Sequence, residues 1–534
     1  MVTICAMTAT IMQALDTTIA NVALPYMQGT LSASQDQINW VLTSYIVAAA
    51  IMTAPVGWIA NRFGRKRIFI ICSAGFTVAS VMCGLAQDIT QMVLFRLLQG
   101  VFGAALVPLS QAVMLDSYAL HERAKAMSIW GMGVMMGPIM GPSLGAWLTE
   151  TYSWHWVFFV NLPFGIFTVL GLMIFMDETR ANRDLRFDWF GFGALAIGIG
   201  AMQVALDRGE QLGWLESNEI IAEIIVSIAG FYYFFAHSLT TSKPFIQFAI
   251  FKDKNFVGGC VFMAVMGLVL FSTMAMSSPY LQNVIGYPII TAGLLLASRG
   301  CGTFVAMMLV GRMMRHIEAR TLIVGGLSIT CLSLFYMTGW TDQTGASEIV
   351  TLSIVQGFGF GLVFVPLSTV AFLTLPNDLR TDGTSMLTLM RNVASSIGIS
   401  VVITQLTEGG RRVYAVLSEH ITPYNHALQM PGVRGLVDLN SDGGRALADV
   451  MVGLQAQIIA FSLDYQMVTL FTLCAIPLAI MIGSTKAALR SQSAAAADHA
   501  VIEWGLQKAV ITRREPQISK NTVSSSPCRR TSKP

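Results

Sequence analysis

Apolar residues in this chain neither alternate nor recur every three or four positions. They gather in long runs. Searching for stretches long enough to cross about 30 Å of hydrocarbon yields fourteen, at about 2–24, 39–60, 68–87, 91–115, 125–149, 154–176, 188–207, 217–237, 255–281, 290–310, 320–340, 347–370, 385–406 and 464–485. These runs are continuous and rich in Leu, Ile, Met and Ala, unlike the short alternating strands of a barrel, so their backbone groups must be satisfied inside helices. The expected fold class is an all-α polytopic membrane protein. Composition agrees: of 534 residues, 54% are hydrophobic and 12% charged, where soluble domains carry about 25% charge.

The placement of positive charge orients the helices. The short loops after even-numbered runs hold sixteen Lys and Arg, whereas those after odd-numbered runs hold only Arg208. Basic residues near helix ends resist translocation, so even loops and both termini are expected in the cytoplasm. The first run begins almost at Met1 without a basic flank, so either the native start lies upstream or later loops set the orientation. A net charge of +3 gives no reason to expect a nucleic-acid partner. Residues 407–463 form a long outer connection with helical-looking pieces such as Arg445 to Ile459. Residues 486–534 form a basic tail with nine Lys or Arg, expected to be disordered beside lipid.

The chain also repeats itself. PYMQ at Pro25 recurs as PYLQ at Pro279, and Gly57 before the first basic loop matches Gly311 before a later one, both at an offset of 254. QGVFGAALVPLS at Gln99 returns as QGFGFGLVFVPLS at Gln356, an offset of 257. An offset spanning eight helices, with both copies facing the same way, divides the chain into six, two inserted and six. The domains expected are 1–180, an N-terminal six-helix bundle; 181–250, two inserted helices; and 251–485, a C-terminal bundle that includes the outer loop. Parallel six-helix repeats suit a carrier whose halves rock around a midplane cavity.

Several residues fit hydrocarbon badly. Asp16, in LDTTIANVALP from Leu15 to Pro25, carries an insertion cost of about 2.5–3.5 kcal/mol, so it must face a cavity or a partner. Burial favours the neutral acid, which makes it a candidate proton site; the plainer alternative is a structural aspartate. Arg96, in LFRLLQG, lies at an overlapping depth. It is either the partner that couples protonation to conformation or a side chain snorkelling to the interface. Gly133, Gly137, Gly141 and Gly145 recur every four residues in the fifth run, a ridge that lets another helix come close. Pro138 and Pro142 remove backbone donors there and bend the helix. The loop GWIANRFGRKR sets Gly57, Asn61, Arg62, Gly64, Arg65 and Lys66 between two runs, as a motif or as a topology signal. Arg299 and Arg391 are further intramembrane candidates, and Asp207 and Asp464 lie near outer ends. The seven cysteines in apolar runs suit small buried hydrophobes. No nucleotide-binding loop and no Cys/His metal spacing is present, so no cofactor or metal is expected and transport would draw on an ion gradient.

Together these motifs resemble the fourteen-span drug:proton antiporters of the major facilitator superfamily, the EmrB/QacA type, over about residues 1–485. LDTTIANVALP is similar to that family's first-helix signature, with Thr18, Asn21 and Pro25. LFRLLQG is similar to its fourth-helix arginine motif, GPIMGPSLGAWL to its antiporter motif, and LDRGEQLGW (Leu206 to Trp214) to its outer loop after the seventh span. The resemblance implies Asp16 and Arg96 as proton-coupling residues, with H+ as the coupling ion. It implies Gly137, Pro138, Gly141 and Pro142 as the bend that favours export, and Arg391 as a family position. The superfamily's basic-loop motif usually carries an aspartate where this chain has Asn61. The resemblance further implies a bacterial inner-membrane pump for hydrophobic and amphipathic small molecules, working with an EmrA-like periplasmic adaptor (a membrane fusion protein) and an outer-membrane channel. Two rivals stand beside this reading: a dedicated exporter of one metabolite or siderophore, and a non-transporting membrane scaffold or sensor.

Overall fold

The computed structural model describes residues 1–481, apart from 120–121, 179–181, 183, 242–243, 377–378, 423, 427, 429 and 431–438, and apart from the side chains of residues 35, 36, 138, 480 and 481. Residues 1–485 form one compact unit. The expected basic tail, and Arg180 at the expected domain boundary, lie outside the described residues.

Every regular element described is a helix. In chain order they are α1 (Val2–Thr30), α2 (Gln35–Thr53), α3 (Val56–Phe63), α4 (Arg65–Gly84), α5 (Ile89–Gly103), α6 (Leu106–Ser117), α7 (Arg123–Thr151), α8 (Trp156–Phe159), α9 (Asn161–Phe175), α10 (Trp189–Arg208), α11 (Asn218–Thr240), α12 (Lys254–Pro279), α13 (Ile289–Met313), α14 (Ala319–Met337), α15 (Ala346–Val370), α16 (Arg380–Glu419) and α17 (Asp442–Met481). Local signals mark several starts. Ser34 and Gln37 form a reciprocal capping box on α2, and Asp88, Asp188 and Asp253 accept first-turn amides of α5, α10 and α12. At Pro55 the chain turns by 56° between α2 and α3. Gly64, at φ 95°, reverses the chain between α3 and α4, a conformation that a residue with a Cβ rarely adopts.

Twelve described helical spans are long and apolar enough to cross a membrane, thirteen if α2 and α3 make one bent span. At 29 residues α7 is equally long, but its glycines and prolines dilute its hydropathy. Large apolar side chains face outward, as on α11, where Ile228, Tyr232 and Leu239 are more than half exposed. That is the surface expected where the solvent is lipid. α16 and α17 each have 40 residues, or about 60 Å at 1.5 Å per residue, twice the hydrocarbon thickness. The stretch 407–463, expected as a loop with helical pieces, therefore continues α16 to Glu419 and resumes as α17 at Asp442. The two extensions touch where the Tyr414 hydroxyl donates to Asp449.

The packing pairs repeat. α1 lies against α7 and α9, α2 against α5, and α4 against α5 and α9. In the same order α12 lies against α16 and α17, α13 against α15, and α14 against α15 and α17. α10 and α11 pair with each other, and α10 leans on α2 and α16. Between the two sets, α7 runs along α13, and α16 meets α2, α3 and α6.

Candidate functional site

α1 and α5 bring Asp16 and Arg96 into direct contact: Arg96 Nη1 donates to Asp16 Oδ2 at 2.7 Å, and both residues are fully buried. Two residues that the sequence did not single out complete the site. Gln99 Nε2 donates to Asp16 Oδ1 at 2.8 Å, and Asn161 Nδ2, at the start of α9, donates to the same oxygen at 3.1 Å. The guanidinium has other anchors. It donates from Nη1 to Gln99 Oε1 at 2.8 Å and from Nε to the Val41 carbonyl at 3.0 Å, and it lies over the Tyr45 ring at 4.3 Å. Asn161 also donates to Ser80 Oγ at 3.0 Å, and Ser80 donates in turn to the Phe158 carbonyl. One carboxylate thus ties together α1, α5 and α9, while Arg96 extends the tie to α2. Buried pairs of this kind contribute little net stability, but removing one partner strands a charge, at about 3–5 kcal/mol.

The glycine ridge of α7 closes on α1, the helix that carries Asp16. A Cβ at Gly137 would run into the backbone carbonyl of Ala14, one at Gly141 into Thr18, and one at Gly145 into Ile19. Gly133 is different, because a Cβ there would make only ordinary contacts, at 3.6–3.7 Å, with Met7 and Ile11. Thr18 locks the seam by donating to the Gly137 carbonyl at 3.0 Å. The opposite side of α7 faces α13, with Ile139 against Gly300 and Pro142 near Gly293. The side chain of Pro138 lies outside the described residues. Asn21 and Pro25 are exposed on α1, away from the ion pair.

The basic loop gathers at one end of the bundle. Gly57 packs directly on Asp382 of α16, Arg62 donates to the Leu185 carbonyl and lies 5.4 Å from the Trp58 ring, and Lys66 donates to the Met173 carbonyl at 2.9 Å. The Asn61 carbonyl accepts from Asn182 N at 2.9 Å. Arg65 pairs with Asp116 at the end of α6, and Arg380 of α16 reaches the other Asp116 oxygen at 2.8 Å. One aspartate therefore bridges the two helix sets at this end. The motif LDRGEQLGW forms a turn in which Gly213 and Trp214 both take positive φ, and Trp214 Nε1 donates to Thr404 of α16 at 3.0 Å. Arg299 donates to Ser277 at 3.4 Å, and Arg391 contacts its neighbour Asn392; among the described residues neither has a carboxylate partner. No cluster of metal-ligating side chains occurs among the described residues.

A fully buried ion pair between spanning helices, in a bundle of two like-paired helix sets, is the build of a carrier, and comparison with known proteins agrees. The chain belongs to the major facilitator superfamily, whose family model matches residues 6–399; it is a membrane transporter of a secondary-transport family and not an enzyme. The resemblance to the EmrB type drawn from the helix motifs holds. The chain is 34% identical over 421 residues to the multidrug export protein EmrB of Escherichia coli K12, covering 78% of this chain and 82% of that protein. It is 33% identical over 422 residues to the fatty acid resistance protein FarB of Neisseria gonorrhoeae, covering 79% and 83%. In fold it is similar to the proton:xylose symporter XylE, with a TM-score of 0.56 at 14% identity over 91% of this chain and 96% of that one.

Proposed function

We propose that this protein exports hydrophobic and amphipathic compounds in exchange for protons, as the inner-membrane component of a tripartite pump with a periplasmic adaptor and an outer-membrane channel. The observation that carries the reading is the fully buried Asp16–Arg96 pair with its two amide donors, in a chain a third identical to a protein named for multidrug export. An ionised carboxylate only accepts hydrogen bonds, and Asp16 accepts three; a protonated one must turn an oxygen into a donor. Proton uptake therefore weakens the tie between α1 and Arg96, while Val41, Gln99 and Tyr45 still hold the guanidinium. Because α1 is zipped to α7 through Thr18 and the glycine ridge, release of α1 is passed to α7, and from there to α13 in the other helix set. Energetically, this is a ligand that binds two conformations unequally.

In this reading α7 is the fourteenth span. Residues 1–180 and 251–485 form the two six-helix halves around the inserted pair 181–250, and both termini lie in the cytoplasm. The paired-helix repeat and the charge asymmetry of the loops support that arrangement. A second reading, a carrier dedicated to amphipathic acids, is favoured by the name of the fatty acid resistance relative. Reconstitution into proteoliposomes with a pH-sensitive dye inside separates them. Cationic dyes, neutral hydrophobes and long-chain carboxylates are added in turn. Several chemically unlike compounds moving protons supports the multidrug reading, carboxylates alone support the second, and no response to any compound contradicts both.

A further inference from the structure

The buried aspartates Asp16 and Asp464, one in each helix set, are satisfied unequally. In the first, every oxygen of Asp16 has a donor. In the second, α17 stands to α12 and α14 as α9 stands to α1 and α4, and it carries Asp464. That residue is fully buried, yet neither carboxyl oxygen has a hydrogen-bond partner among the described residues. Elsewhere in this set, on α15 and α13, both amide atoms of Gln356, the repeat counterpart of Gln99, lack a partner among the described residues, and so does Arg299 Nε. An ionised carboxylate sealed in this way costs several kcal/mol, and the neutral acid is far cheaper to bury.

We propose that Asp464 is a second proton-binding site, which holds a proton in the conformation described and releases it in the alternate one. Its neighbour Tyr465 lies 3.3 Å from Ser277 Oγ, the same oxygen that receives Arg299 Nη2 at 3.4 Å. Arg299, across this tyrosine, is the cation that would stabilise the carboxylate once the proton leaves. The other titratable or charged groups on elements packed around α17 are Lys254 and Cys260 on α12, Tyr280 just beyond it, Arg320, Cys331 and Tyr336 on α14, and Arg380, Asp382, Arg391, Glu408, Arg411, Arg412, Tyr414 and Glu419 on α16. Among the described residues none of these forms an ion pair or hydrogen bond with Asp464. Loss of its proton therefore requires a rearrangement that brings a cation or donor to it, which ties the site to conformation.

The test is infrared difference spectroscopy of the full-length protein in lipid nanodiscs across a pH titration, comparing wild type, Asp464→Asn and Asp464→Glu. A protonated-carboxyl stretching band present at neutral pH, lost reversibly on alkalinisation, absent in Asp464→Asn and shifted in Asp464→Glu is the expected result. A difference spectrum with no such band, or a band that persists at every pH, overturns the proposal. The asparagine is nearly isosteric with the neutral acid and is expected to keep the fold, and the glutamate variant guards against a folding artefact. The transport consequence rests on the proton-exchange reading. In proteoliposomes the proton count per substrate, taken from the reversal potential, should fall by one in Asp464→Asn while export persists; an unchanged count overturns it. If wild type exports nothing, the exchange reading fails and the infrared titration still decides the site.

Discussion

Asp16 accepts from three donors on two other helices, so its protonation is felt in three places at once. Arg96→Ala strands the carboxylate, and we expect a loss of about 3–5 kcal/mol, measured as thermal unfolding in detergent. Gln99→Leu and Asn161→Leu each remove one donor and should cost about 1–3 kcal/mol, with the ion pair kept. Arg96→Lys keeps the charge but loses the fork that holds Asp16, Gln99 and Val41 together. It should fold and transport at less than a tenth of the wild-type rate; export at an undiminished rate would remove the geometric role given to Arg96. At this scale the sequence revealed the charged pair, because Asp16 and Arg96 interrupt apolar runs. It did not reveal Gln99, Asn161 or Tyr45, since neutral amides and tyrosines are common in such helices and only their meeting in space distinguishes them. Asp464 was visible as a carboxyl near a helix end, and its burial came only with the structure.

Among the elements, α7 has the most sharply defined surroundings. Its four-residue glycine spacing revealed a tight seam, but spacing says only that one face is small, not which helix lies against it. The partner is α1, and the fit is uneven along the ridge. Gly137→Ala would push a methyl into the Ala14 backbone, which cannot yield as a flexible side chain would. A loss of about 1–3 kcal/mol from overpacking is expected, together with loss of export. Gly133→Ala meets only ordinary contacts and should behave as wild type in both assays. Equal effects from the two substitutions would mean that the ridge is not the working seam. The long connection 407–463 was less legible, because its helical pieces are interrupted by Gly, Pro and Asn. Those residues concentrate between Glu419 and Asp442, where the helices end.

The whole molecule is latched at one end by Asp116, shared between Arg65 and Arg380. Both arginines are among the sixteen basic residues that orient the helices, and a count of charges says nothing about partners 51 and 264 residues away. Asn61 stands where the family's motif usually has an acid, and here Asp116, Glu178 and Asp382 are carboxyls that meet the basic loop, at Arg65, Gly64 and Gly57. Asp116 is one-third exposed, so its bonds contribute little to folding, and their proposed role is to hold the two helix sets together at this end in the conformation described. Asp116→Asn should raise several-fold the labelling rate of a cysteine placed at Met386, beside Asp382, with little change in melting temperature; an unchanged rate would dissociate this cluster from gating. The fourteen-span arrangement has its own check. Cysteines introduced at Tyr424 and at Arg315 should label from opposite sides of the membrane, and labelling from one side would overturn the topology.

The central claim is that a proton on Asp16 is exchanged for cargo. Its most direct test is dye-monitored proton release from proteoliposomes on addition of a transported compound, comparing wild type with Asp16→Asn at matched protein content and matched compound binding. Prompt release by wild type and none by the variant, which still binds the compound, is the predicted result. Release by Asp16→Asn at the wild-type rate would contradict the account.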